Sequence, residues 1–397
     1  MAFAGLFHPT ETRLRTVAAE LDMAKTSKKI VDKKKFLLAA ICLIIVQCCF
    51  GGYAVVCQFF KKDMPNAVIF SCFRDSVAFP ILLAWAHFSE GIVYPSKGDL
   101  LMLSLFGLLG MYGNQVLFIL GLYNAGADSA SLFQPTIPVF TSLFALVFCI
   151  EKPPQLSCNN ASDSRIVYAG WLKTIGILAV TAGGFIIYFG NKKNGSASSS
   201  AAANNKVFGE ILLVGNCVCC SLYVLLQKKM VFSKEAVDTY LAGKWAHRPI
   251  NLTAWTYLFG AIFMFLHALI ITIINPKEIE INAGMIYPLL YAAFLSSAAA
   301  YGLISFANSI LPASMVTAFW PLQVPVAVVL NYYATGAEIS GTEIFGGCVI
   351  IASLLLVSFS DRLMEKVKLD NNNAKLLGNS YGSYQAVEQQ NEGGALA

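Results

Sequence analysis

Hydrophobic residues in this chain come in long blocks, with polar residues confined to the gaps between them. Ten apolar blocks fall at 36–58, 66–88, 99–122, 127–149, 168–190, 207–229, 252–274, 284–307, 311–334 and 343–360. Each matches the roughly 17–25 residues that a helix needs to cross a bilayer. The gaps carry punctuation: Lys61-Lys62 after the first block, Pro95 and Lys97 before the third, Pro153-Pro154 after the fourth and Pro276 after the seventh. The pattern predicts an all-α integral membrane protein with ten transmembrane helices.

Residues 191–206 are Asn-Lys-Lys-Asn-Gly followed by Ser and Ala repeats, the composition of a flexible linker. They divide the blocks five and five. The expected domains are a cytosolic basic N-tail (1–35), a first five-helix repeat (36–190), the linker (191–206), a second repeat (207–360) and a polar, disordered C-tail (361–397). The halves echo each other. Phe133-Gln134-Pro135 recurs 186 residues later as Phe319-Trp320-Pro321. Pro138 and Glu151 return as Pro325 and Glu338 at a spacing of 187, and Gly113 as Gly302 at 189. Five helices per half is odd, so the second half enters from the opposite face. Two inverted repeats with a site between them are a plan of secondary transporters.

Within the first half, residues 112–151 form the most informative stretch. Small residues at Ala125–Ala130 join two apolar runs, predicting a helical hairpin that carries Asn114, Gln115, Gln134, Pro135 and Pro138. Amides and prolines inside apolar runs persist where they face protein or a wet cavity. Asp128, Ser131, Pro135, Pro138 and Ser142 step by three and four along one helix face. This face serves close packing or solute contact equally well. Each interior proline frees a carbonyl that could accept a hydrogen bond.

Composition and charge refine the picture. The 397 residues are 56% hydrophobic and 13% charged, against about 25% charged in a soluble domain. Twenty Lys and Arg fall on the side of the N-terminus and six on the other, so both termini are expected in the cytosol. The net charge of +5 sits in tails and loops and does not suggest nucleic acid. Ten of the eleven cysteines lie in or beside apolar blocks, where Cys acts as a small hydrophobe. Cys217, Cys219 and Cys220 lack the companions a metal site needs. Phosphate loops, His-Glu-x-x-His and nucleophile elbows are absent from the sequence, so no catalytic residue, metal or cofactor is expected.

Arg74-Asp75 is the one strong charge pair inside an apolar block. A charge there must face the interior, either as a contact for an anionic group or as a structural pair. The candidate substrate contacts are Arg74, Asn114, Gln115, Gln134, Pro135, Pro138, Trp320, Pro321 and Gln323. Amides suit neutral or zwitterionic solutes, because they donate and accept without ionising. Sequons occur at Asn160, Asn194 and Asn251, and a sorting-signal pattern at Tyr384–Val387.

Phe73-Arg74 with Ala78, Asn114-Gln115 with Gly121-Leu122, Ser131 through Pro138 to Glu151, and Phe319 to Gln323 resemble the drug/metabolite transporter superfamily. The likeness is greatest to its EamA-type, plant nodulin-like, Walls-Are-Thin-related branch. It implies a ten-helix pseudosymmetric carrier of small metabolites working by alternating access. The expected partners are a small-molecule solute and the lipid bilayer, with a coupling proton and a homodimer left open. The expected location is the plasma membrane or an endomembrane. A nucleotide-sugar or organic-phosphate exchanger is the alternative carrier, and would need more buried cations than Arg74 and Lys173. A non-transporting scaffold or receptor is the alternative outside that class.

Overall fold

The computed structural model describes residues 9–60, 66–150, 161–191, 200–233, 236, 240–276, 282–336, 339–364 and 367. Among these residues all regular structure is helical. The helices that follow from the apolar blocks are α1 Lys33–Cys57, α2 Ala67–Glu90, α3 Leu100–Ala125, α4 Gln134–Val147 and α5 Val167–Ile187 in the first half. In the second half they are α6 Lys206–Phe232, α7 Pro249–Ile274, α8 Ala283–Ile310, α9 Ala313–Thr335 and α10 Gly341–Met364. Nine of the described helices are long and apolar enough to cross a membrane; α4 is the shorter exception. At about 21 Å it falls short of a ~30 Å hydrocarbon core. The expected count of ten therefore stands at nine plus a broken tenth. The cause is local, since Pro135 sits in a 3₁₀ turn, Gln134–Thr136, that interrupts the block. At the other boundary, α1 is the end of a longer helix beginning at Pro9. Glu151 and Glu338, and the sequons at Asn160 and Asn194, lie outside the described residues, as does Tyr384–Val387.

The α3–α4 hairpin is present. The backbone is helical from Asn114 to Phe133, yet a straight helix would separate Asn114 from Gln134 by about 30 Å. Both hydrogen-bond to the single residue Asn216 of α6. Along α3, Gly121 meets Leu213 and Ala125 meets Gly209. Along α4, the carbonyls of Phe133 and Ile137 meet Cys217 and Ser221. The chain thus reverses between Ala125 and Phe133.

The contacts are closed under exchange of the halves. Helix α1 packs on α8 and α9, as α6 packs on α3 and α4; α2 packs on α8 as α7 does on α3. The pairs α2–α7, α4–α9 and α5–α10 match helices with their own repeat mates. In the last pair a Cβ on Gly183 would lie 3.0 Å from the Gly346 carbonyl, and one on Gly346 2.8 Å from that of Gly183. Only glycine permits so close a crossing. Irregular turns also come in mates: π-helical stretches at Gly107–Gly113 in α3 and Ala292–Ala299 in α8, and 3₁₀ turns at Gln134–Thr136 and Trp320–Leu322. Such π stretches are frequent at functional sites.

The halves are tied together at the end of the molecule carrying the α2–α3 connection. The carboxylate of Glu90, at the end of α2, accepts hydrogen bonds from the backbone N–H groups of Ile250 and Asn251 at 3.0 and 2.9 Å. It thereby caps the first turn of α7, where unpaired donors and the helix dipole favour an anion. The Asn251 amide donates to Glu90 and to the Gly91 carbonyl and accepts from Val93 N–H. Being buried in this knot, it is no acceptor for a glycan. Lys244 pairs with Asp99 at 3.0 Å, and Trp255 donates to the Val93 carbonyl. Just inside this layer Gln227 donates to Ser305, Thr253 donates to Ser305, and Asn308 donates to Gln227.

Candidate functional site

Helix α2 turns Arg74, Ala78 and Leu82 to the interior at four-residue spacing, with Phe70 one turn before them. Arg74 is therefore buried, at 7% exposure, and its neighbour Asp75 is 0% exposed. Position along α2 puts them about a third of the way in, beyond reach of easy snorkelling. Arg74 Nε donates to Asp75 Oδ1 at 3.1 Å. Around them stand Tyr53 of α1, Gln115 of α3, Tyr257 of α7 and Tyr301 of α8, so both halves contribute.

Hydrogen bonding at this junction is incomplete. Arg74 Nη2, Asp75 Oδ2, Gln115 Oε1, the Tyr257 hydroxyl and Ser297 Oγ are buried with no partner in the protein. Buried polar groups are paired in the great majority of cases. Tyr257 faces Ser297, Gln115 faces Asp75 and Tyr53 faces Arg74, yet none of the five atoms closes a well-formed hydrogen bond, so a cationic donor, two acceptors and two hydroxyls make a set of contacts for a polar ligand.

Beside it runs a completed chain of amides. Gln134 Nε2 donates to Asn216 Oδ1 at 2.8 Å, and Asn216 Nδ2 donates to the Asn114 carbonyl at 2.7 Å and to Asn114 Oδ1. Asn114 Nδ2 in turn donates to the Tyr301 hydroxyl at 3.1 Å. This chain spans α4, α6, α3 and α8 and ends on the wall of the junction. Trp320 reaches the same tyrosine through Phe50, whose ring centroid lies 6.4 Å from that of Trp320 and 6.1 Å from that of Tyr301.

The structure thus brings Arg74, Gln115, Asn114, Gln134 and Trp320 into one connected region. The prolines lie at its margin. Pro135 is buried with its ring against Gly184. Its carbonyl accepts from Thr181 at 3.0 Å, while that of Phe133 accepts from Thr136 and Cys217. These two carbonyls face α5 and α6 and are held by protein groups, while the Gln134 carbonyl, which Pro138 deprives of its helical donor, accepts from the backbone N–H of Ile137. Pro138 and Pro321 are buried packing residues, and the Gln323 carbonyl lies at the α1–α9 crossing against Gly51. Side chains of Asp128 and Ser131 fall outside the described residues. Lys173, the second cation considered from sequence, is paired with Asp361 at 3.2 Å on the α5–α10 seam. An apolar cleft of about 220 Å³ beside the 3₁₀ turn, lined by Phe133, Thr136, Phe185 and Phe189, holds none of the orphaned groups.

Four residues of the region escape a sequence reading: Tyr53, Tyr257, Ser297 and Tyr301 count as ordinary members of apolar blocks. One signal was available. The 189-residue spacing that pairs Gly113 with Gly302 also pairs Tyr112 with Tyr301.

Comparison with known proteins agrees with this architecture. The model of the EamA-like transporter family matches residues 37–157 and 207–359. A WAT1-related protein of Arabidopsis thaliana is 24% identical over 336 residues, covering 80% of this chain and 84% of its own length. Protein WALLS ARE THIN 1 from the same plant is 24% identical over 340 residues, covering 80% and 82%. An uncharacterized transporter of Archaeoglobus fulgidus is 24% identical over 328 residues, covering 83% and 98%. A solved crystal structure superposes with a TM-score of 0.61 at 14% identity, covering 82% of this chain and 98% of that one, which supports the fold alone. This chain is a multi-pass membrane transporter that belongs to the EamA-like family of the drug/metabolite transporter superfamily and resembles its plant WAT1-related branch.

Proposed function

We propose that this protein moves small organic metabolites across a membrane by alternating access of its two five-helix halves. The supporting observation is the junction of Arg74, Asp75, Gln115, Tyr257 and Ser297, drawn from both halves and short of hydrogen-bond partners. A solute bound there satisfies groups that are costly to leave bare. Because α2 and α3 belong to one half and α7 and α8 to the other, rocking of the halves opens this junction to either face in turn. The excess of Lys and Arg favours cytosolic termini, and the end tied by Glu90 and Asn251 then faces the cytosol. The pairing of Lys173 with Asp361 leaves Arg74 as the cation at the junction among the described residues. That favours a singly charged, zwitterionic or neutral solute over an organic phosphate.

Purified protein in liposomes, challenged with a mixed panel of labelled metabolites under imposed ion gradients, tests the proposal. Saturable uptake of a member of the panel is expected. Absence of any flux, with partner binding retained, would instead favour a scaffold or receptor.

A further inference from the structure

The charge balance of the junction carries a consequence for how transport is driven. Arg74 and Asp75 share a single hydrogen bond, through Nε and Oδ1 at 3.1 Å. The outer edge of the guanidinium, Nη2, and the second carboxylate oxygen, Oδ2, are both buried and unpartnered. The titratable groups facing the pair are Cys72 on its own helix, Tyr53 and Cys57 from α1, Tyr257 from α7 and Tyr301 from α8; α3 presents the amide of Gln115. Phenols and thiols are ordinarily neutral at physiological pH. The empty junction therefore carries one positive and one negative charge, and sums to zero.

A carboxylate that binds Arg74 Nη2 adds a second anion to one guanidinium in a closed, weakly polar interior. Uncompensated charge there is strongly disfavoured. Two carboxylates in close company resolve this by keeping one proton between them. Gln115 is placed to accommodate that proton. It lies within hydrogen-bonding reach of Asp75, and its Oε1 is an orphaned acceptor. An amide can donate to an ionised carboxylate and accept from a protonated one.

Building on the proposed carrier function, we propose that Asp75 is the coupling site and that the protein carries a monocarboxylate together with one proton. On loading, the solute carboxylate takes Arg74 Nη2, a proton from water forms an O–H bond on Asp75 Oδ2, and that hydroxyl donates to Gln115 Oε1. On release the O–H bond breaks, the proton returns to water on the far side, and Asp75 recovers its full interaction with Arg74. Empty and loaded carriers are both neutral at the junction, so transport is electroneutral.

The test uses the full-length protein in liposomes with labelled gluconate and glycerate, set beside the matched neutral polyols glucitol and glycerol and the zwitterion alanine. A trapped pH dye reports protons, and potassium with valinomycin sets the voltage. The expected result is carboxylate accumulation driven by an alkaline interior, one proton per solute, with no response to voltage. Asp75→Asn removes the proton acceptor, so its empty junction carries +1 and its loaded junction zero. Uptake should lose its dependence on the pH gradient and become driven by an inside-positive voltage. A variant that merely loosens the fold would not change the driving force in this way. If Asp75→Asn does not fold, the wild-type stoichiometry and voltage response decide alone. Carboxylate uptake without protons, voltage-driven uptake by the wild type, or transport confined to polyols or alanine would overturn the coupling scheme and leave the carrier reading standing. No flux of any panel member would remove both.

Discussion

Two polar networks lie inside this helical bundle, and they differ in how completely they are satisfied. Near the α2–α3 end, Gln227, Ser305, Thr253 and Asn308 bond to one another, and Glu90 with Asn251 clasps α2 to α7. Of the residues just named only Asn308 leaves an atom bare, Oδ1, with Asp99 Oδ1 of the neighbouring Lys244 pair a second at this end. Deeper in, Arg74, Asp75, Gln115, Tyr257 and Ser297 leave five. Apart from the half-buried Glu90, the residues of both networks are buried, so burial does not mark a site. A closed network holds helices in register, whereas an open one holds places for something that is not protein. The amide chain through Asn216 lies between the two kinds: complete in itself, it fixes Tyr301 on the wall of the open network.

The largest effect expected falls on the open network. Arg74→Ala should abolish transport. It should also lower stability by about 3–5 kcal/mol, because Asp75 is then buried without its cation. The double change Arg74→Met with Asp75→Leu should restore the thermal midpoint without restoring uptake, which separates site from scaffold. Full uptake by the double variant would erase the distinction between the networks.

The closed network should respond in stability first. Glu90→Ala leaves two N–H groups of α7 uncapped, a loss of about 1–3 kcal/mol, readable as a lower melting temperature in detergent. Gly183→Val, which forces a Cβ against the Gly346 carbonyl, should cost a comparable ~1–3 kcal/mol. An unchanged melting temperature in either variant would show that these seams do not hold the halves together.

The smallest effect expected concerns pH. Asp99 is buried, which alone would raise its pKa, but the N–H and hydroxyl of Ser96 and the ammonium of Lys244 outweigh burial. Its carboxyl is held below the ordinary value of 3.8. The folded state therefore prefers the ionised form. The contribution is complete above the ordinary value and is lost as pH falls below it. Asp99→Asn should flatten this acid-side loss in a melting-temperature profile, and an identical profile would rule the contact out as a contributor.

Much of this fold is legible in the sequence because lipid imposes a coarse rule on it. Apolar blocks must be long, so the helices announce themselves, if not the break at Pro135 or the start at Pro9, and the recurrence of Phe133-Gln134-Pro135 as Phe319-Trp320-Pro321 announces the repeat. The 3₁₀ turns at those prolines follow from the missing N–H. The site was legible in part. Arg74 and the amides stand out against an apolar background, and the structure joins them. Tyr257, Ser297 and Tyr301 do not stand out, since a hydroxyl barely alters the hydropathy of a block. Which face of α8 carries Ser297 and Tyr301 inward depends on the π stretch at Ala292–Ala299, and its shift of register is invisible to a fixed helical period. The partners of the carbonyls around the 3₁₀ turn were likewise unreadable, because Thr181 and Cys217 arrive from helices 46 and 84 residues away.

The most direct test sets Gln115→Ala beside Gln227→Ala, one amide from each network, with uptake of the transported solute measured at matched amounts of folded protein. The account predicts that Gln115→Ala raises KM roughly fivefold, about 1 kcal/mol of hydrogen bonding lost from the loaded junction, with little change in melting temperature. Gln227→Ala should lower the melting temperature and leave KM unchanged. A raised KM for Gln227→Ala, or an unaltered KM for Gln115→Ala, would contradict the claim that the unsatisfied junction is where the solute binds.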